Sequence, residues 1–237
     1  MRLRLLFVLI LASLTVCVWA DNSDQFRAER VGWARLKTPT QYWLRHSSGD
    51  PIMARFIRDN TTLNIDPTWY VADVERLEEM CSYPLLFSQS IVVVESATGK
   101  SHLAEYIRRG GFLLVDACCN QGINPSPDAF LQKHVQLLKE VLPEARVVPI
   151  PKTHELYSCF FDISDRPPHT YDYNVFDPNR AKHGLYAIQI GKRTAGIITL
   201  SGLQCGWSGQ AAPQGHDVLC MRMMVNIYIY AMLQGGA

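Results

Sequence analysis

The stretch Gly110-Gly111-Phe112-Leu113-Leu114-Val115-Asp116 constrains the fold of this chain more than any other. Four apolar residues in a row, opened by two glycines and closed by an acid, describe a strand covered on both faces. Such a strand belongs to a parallel sheet with helices above and below it. Its surroundings agree. Ser96 to Arg109 sets Leu103, Tyr106 and Ile107 on one helical face just before the glycines. Pro127 to Leu142 repeats that spacing with Phe130, Leu131, Val135, Leu138 and Leu142. Arg146 to Ile150 then reads as a strand, so strand, helix and strand alternate as βαβ units require.

Upstream, Val31 to Leu36 reads as a first strand. Asp50-Pro51 predicts a helix with Asp50 as its cap and proline at the first helical position. Ile52, Met53, Phe56 and Ile57 form that helix's inward stripe. Asn64 to Val71 is expected as a second strand and Pro84 to Phe87 as the start of a third, while Ile91 to Val94 fits strand or helix equally. Downstream, residues 162–183 are rich in Pro, Asp, His and Tyr without periodicity and read as a long loop. Leu185 to Ile190 and Ala195 to Leu200, joined through Gly191-Lys192, predict a hairpin at one sheet edge. Asp217 to Leu233 is apolar nearly all round but holds Arg222 and Asn226, which describes a buried core helix rather than a membrane span.

The amino terminus has a different character. Arg2 and Arg4 precede a charge-free run from Leu5 to Trp19, and Ala20 offers a small residue before Asp21. These are the parts of a cleavable signal peptide, so residues 1–20 are expected to be removed and 21–237 to form one exported domain. The run is short for a bilayer, where about 20 apolar residues are needed; a retained N-terminal anchor is the alternative. Cleavage takes away Arg2, Arg4 and no acid, so the 23 basic and 22 acidic residues of the whole chain become 21 and 22, net −1. That balance, with no basic run longer than Arg108-Arg109, leaves no footprint for nucleic acid. Six cysteines remain, at 81, 118, 119, 159, 205 and 220, and are read as free thiols. No Cys/His spacing marks a zinc site, and no cofactor is expected.

The segment Ala104 to Asp116 resembles a domain family of unknown function, DUF4159. Leu63-Asn64-Ile65-Asp66-Pro67, His154-Glu155-Leu156-Tyr157, Phe160-Phe161-Asp162 and Cys205-Gly206-Trp207 extend the likeness, in family order, over residues 26 to 233. The resemblance implies a flavodoxin-like fold related to the class I glutamine amidotransferases, a mainly parallel sheet flanked by helices. It also implies a bacterial envelope setting, with no established reaction. Two positions depart from the pattern. Ala117 stands where members often carry a second acid, which weakens a paired-carboxylate metal site. Cys118-Cys119 lies in Asp-Ala-Cys-Cys-Asn, without the glycines of a Gly-x-Cys-x-Gly nucleophile elbow. Amidotransferase activity does not follow from the fold.

Ligands of open α/β sheets gather at the carboxyl ends of the strands. Asp116, Cys118 and Cys119 are expected at that rim, with His154 after the next strand and Trp207 in a glycine-rich loop. Asp116, Cys119, His154 and Trp207 are therefore the candidate ligand-binding residues. Asp116, Cys118 and His154 are the candidate catalytic set, as a Cys nucleophile with its base and orienting acid. Gly99-Lys100-Ser101 looks like the end of a phosphate loop, but Val94 stands where its first glycine belongs. The expected function is a noncatalytic envelope module that binds a small ligand or an envelope protein; a Cys/His/Asp hydrolase is the alternative.

Overall fold

The computed structural model describes residues 31–118, 126–168, 184–209 and 215–234. The expected signal peptide, Cys119 and most of the 162–183 loop lie outside the described residues. The chain forms a seven-stranded, mostly parallel sheet with helices on both faces. Its strands are β1 (Trp33–Lys37), β2 (Trp69–Asp73), β3 (Leu85–Ser88), β4 (Phe112–Asp116), β5 (Arg146–Pro149), β6 (Leu185–Ile190) and β7 (Arg193–Thr199). They lie in the order β2-β1-β3-β4-β7-β6-β5. The first five in that order are mutually parallel; β6 runs antiparallel to β7, and β5 antiparallel to β6.

The helices are α1 (Asp50–Asn60), α2 (Leu77–Cys81), α3 (Ala97–Arg108), α4 (Pro127–Val141), α5 (Leu203–Trp207) and α6 (His216–Gln234). Strand residues alternate between two cores, as the pleat demands. Trp33, Leu85, Phe87, Phe112 and Leu114 pack with α1 and α6 on one face. Ala34, Leu36, Leu86, Leu113 and Val115 pack with α2, α3 and α4 on the other. All five residues of β4 are buried, as its uninterrupted apolar run predicts. Ser96 caps α3 by accepting from Gly99 N, so Gly99-Lys100-Ser101 is a first helical turn, not a phosphate loop. The helix ends at Gly110, whose φ of 90° is open to glycine at little cost. α6 is buried on most sides, and no helix among the described residues is long and apolar enough to cross a membrane.

Five expectations need correction. Asp50 is the first helical residue of α1, not its cap: Gly49 holds that place, and the Asp50 side chain turns inward to Arg35. On the same helix Ile52 is 43 % exposed, and Met53, Ala54 and Ile57 supply the inner face. β2 begins at Trp69 rather than Asn64, because Pro67 lacks the N–H a ladder needs. The β6–β7 hairpin forms but is interior: β7 sits between β4 and β6, and β5, with exposed Arg146 and Pro149, is the edge. Ile91 to Val94 is neither strand nor helix; it turns over the end of β3 with Ile91 and Val94 buried.

Candidate functional site

The path of the chain places a crevice at one position. From β1 it crosses to β2 on one side and later returns to place β3 on the other. The segments leaving β1 and β3 therefore diverge, and in open α/β sheets that divergence forms a ligand crevice. A cavity of about 230 Å³ lies there. Tyr42 reaches it from the segment after β1, Gln89 and Ser90 from that after β3, Cys118 from that after β4, and Phe130 and His134 from α4.

Arg35 holds the segment that brings Tyr42 to the cavity. Its guanidinium is 1 % exposed and binds the fully buried Asp50 through both nitrogens of one edge, Nη2 donating to Oδ1 at 2.9 Å. Nη1 donates to the carbonyls of Trp43 and of Arg45, the latter at 3.0 Å. A planar fork holding one carboxylate and two carbonyls fixes the loop that follows β1. At the end of that loop His46 adopts φ 54°, ψ 23°, the sole positive φ of a non-glycine among the described residues. A left-handed histidine costs about 1–2 kcal/mol, and here it turns the imidazole toward Cys118, with Nε2 4.0 Å from Sγ.

Asp116 holds the end of β4, two residues before Cys118. It is 1 % exposed, and its two oxygens accept from the amides of Leu203 at 3.0 Å and Gln204 at 2.8 Å. The carboxylate thus ties the end of β4 to the start of α5. Burial pushes its pKa up to about 7, against the lowering pull of those amide bonds. The same tie brings Cys205 of α5 to Cys118, sulfur to sulfur at 3.6 Å, and neither is in a disulfide.

His154 is not part of this assembly. It follows β5, three strands from β4, a lateral offset of about 14 Å at normal strand spacing. Its Nδ1 accepts from Leu156 N at 3.1 Å and its ring packs edge-on against Tyr230 at 5.6 Å. Trp207 is also placed in the core, 5.9 Å from the rings of both Trp33 and Phe87. Asp116 and Cys118 stand together at the rim, and the histidine beside them is His46.

His134 lines the cavity in a saturated state. Nδ1–H donates to Phe130 O at 2.7 Å, and Nε2 accepts from Ile91 N at 3.3 Å. Burial pushes its pKa down to about 4; Lys133 acts in the same direction, and the bond to Phe130 opposes them. Between pH 6.5 and 4 the unfolded chain therefore takes up a proton that the folded state refuses. Stability should fall on acidification across that window by about 3 kcal/mol from this group. Asp116 acts in the opposite sense, because its folded state keeps a proton up to about pH 7. Comparing wild type with His134→Gln isolates the histidine: in urea titrations from pH 7 to 4 the variant should lose less stability. Parallel pH curves would show that the imidazole charges in place.

The fold and site together define an α/β domain with a small crevice at the carboxyl ends of its central strands. The family described as Domain of unknown function (DUF4159) matches residues 33–232, and the chain belongs to it. No curated protein matches the sequence.

Proposed function

We propose that this chain is an exported bacterial envelope domain that binds a small ligand in the crevice without transforming it. The carrying observation is the cavity itself, placed where the segments after β1 and β3 part. The order of the parallel strands, β2-β1-β3-β4 followed by β7, supports a flavodoxin-like reading of the fold, in which that junction receives the ligand. At about 230 Å³ the space is below the roughly 300–1,000 Å³ of pockets for drug-sized molecules, so its occupant is smaller. Val92, Val93 and Phe130 offer an apolar wall. Lys133, which joins none of the ion pairs among the described residues, offers a cation at the mouth. A short apolar molecule with one anionic end fits that lining. Export is supported by the Arg2-to-Ala20 pattern.

A cysteine hydrolase is the second reading, favoured by the 4.0 Å approach of His46 to Cys118. It has weaker support. Cys118 is only 5 % exposed, and both oxygens of Asp116 accept from main-chain amides rather than orienting an imidazole.

Native mass spectrometry of protein isolated from its own compartment tests the first reading. The expected result is a chain beginning at Asp21 that carries a small molecule, with the Ala129→Trp variant, which fills the cavity, carrying none. A chain beginning at Met1 would overturn export. Equal occupancy in wild type and variant would overturn the cavity.

A further inference from the structure

The two buried thiols and the imidazole beside the crevice form a group that ligand binding does not require. We infer that His46, Cys118 and Cys205 constitute a metal site for a thiophilic divalent cation, Zn²⁺.

The distances carry the inference. The ligand atoms His46 Nε2, Cys118 Sγ and Cys205 Sγ all lie within 4.8 Å of one another. With zinc–sulfur bonds of about 2.3 Å and zinc–nitrogen bonds of about 2.0–2.1 Å, tetrahedral angles require sulfurs about 3.8 Å apart and sulfur to nitrogen about 3.6 Å. The protein sets Cys118 and Cys205 at 3.6 Å and Cys118 and His46 at 4.0 Å, so each needs a shift of only a few tenths of an ångström. A disulfide would need the sulfurs at about 2.05 Å, a much larger closure.

The scaffold favours the same arrangement. Three segments remote in sequence deliver the ligands, and each is held in place by buried contacts. Arg35 holds the loop that ends in His46, β4 delivers Cys118, and Asp116 clamps the start of α5 that carries Cys205. The Gln204 side-chain amide reaches His46 O at 3.5 Å, linking two of the three. The left-handed backbone of His46 is tolerated where it aims the imidazole at the sulfurs. Charge also balances. Two thiols lose their protons to solvent as the cation binds, and Zn²⁺ with two thiolates and a neutral imidazole is net neutral, which suits cysteines 5 % and 1 % exposed. Three protein ligands leave a fourth position for water or another donor.

Cobalt titration of the full chain under reducing conditions tests the site, because tetrahedral Co²⁺ reports its ligands by colour. One Co²⁺ per chain should bind with visible d–d bands and a thiolate-to-metal charge-transfer band, and Zn²⁺ should displace it. Cys205→Ser should remove most of the charge-transfer band. His46→Asn tolerates the left-handed backbone and so keeps the fold. It should weaken binding at least about 10-fold, the lower end of the loss seen when even an outer-shell partner is removed. Cys159→Ser, at a thiol bonded to the main chain of Asn226, should change neither spectrum nor affinity. Octahedral cobalt without the thiolate band would overturn the site. So would unchanged affinity in both His46→Asn and Cys205→Ser, or a Cys118–Cys205 disulfide in protein isolated under non-reducing conditions.

Discussion

Asp50→Ala should destabilise the folded chain by about 3–5 kcal/mol, the cost of leaving one partner of a buried ion pair without its counter-charge. Arg35 is 1 % exposed and Asp50 not at all, so water cannot take the missing carboxylate's place without rearrangement. The loss extends beyond the pair. The same guanidinium holds the carbonyls of Trp43 and Arg45, and through them the loop carrying His46. Asp50→Asn keeps an acceptor for one N–H and should cost less. Urea unfolding at pH 7 measures both. A loss below about 1 kcal/mol for Asp50→Ala, the range of exposed pairs, would mean that the guanidinium finds solvent.

Gly111→Val should be comparably damaging, by about 3 kcal/mol or more, at the upper end of overpacking costs. The cause is space. A Cβ on Gly111 would lie 2.6 Å from Tyr106 Cε1 and closer still to the next two ring carbons. That ring cannot yield, because Tyr106 is buried and its hydroxyl donates to the carbonyls of Tyr83 and Phe112, each at 3.1 Å. The positive φ of this glycine pair belongs to Gly110. Tyr106→Leu removes the clashing atoms, so Gly111→Ala should cost markedly less in that background than alone. Additive losses in the double variant, read from melting curves, would place the strain in the backbone.

What the sequence disclosed follows how local each signal is. β4 and α3 are written in consecutive residues and were legible. β2 was misplaced because Asn64 to Asp66 continue an extended pattern that Pro67 interrupts before pairing begins at Trp69. The interior position of the hairpin could not be read from β6 and β7 alone, since it depends on β5 supplying the edge. At the site, Asp116 and Cys118 were legible because a buried strand must end at the rim. His46 was not: residues 41–49 have no periodicity, and an ion pair between Arg35 and Asp50 sets their path. His134 did leave a trace. It lies four residues after Phe130 and four before Leu138, on the stripe that faces the sheet. Spacing could not reveal a metal group drawn from positions 46, 118 and 205.

The insertion of β7 beside β4 has a consequence for timing. That contact joins Leu113 to Gly196, so the inner edge of β4 waits for the last third of the chain. Until then a growing polypeptide presents an open parallel edge of Phe, Leu, Leu and Val, the kind of surface that recruits other strands. Neither β5 nor β6 can cover it first, because both reach the sheet only through β7. Closure of this edge therefore requires synthesis past Thr199. A nascent chain halted between α4 and β7 would leave that edge uncovered and prone to association.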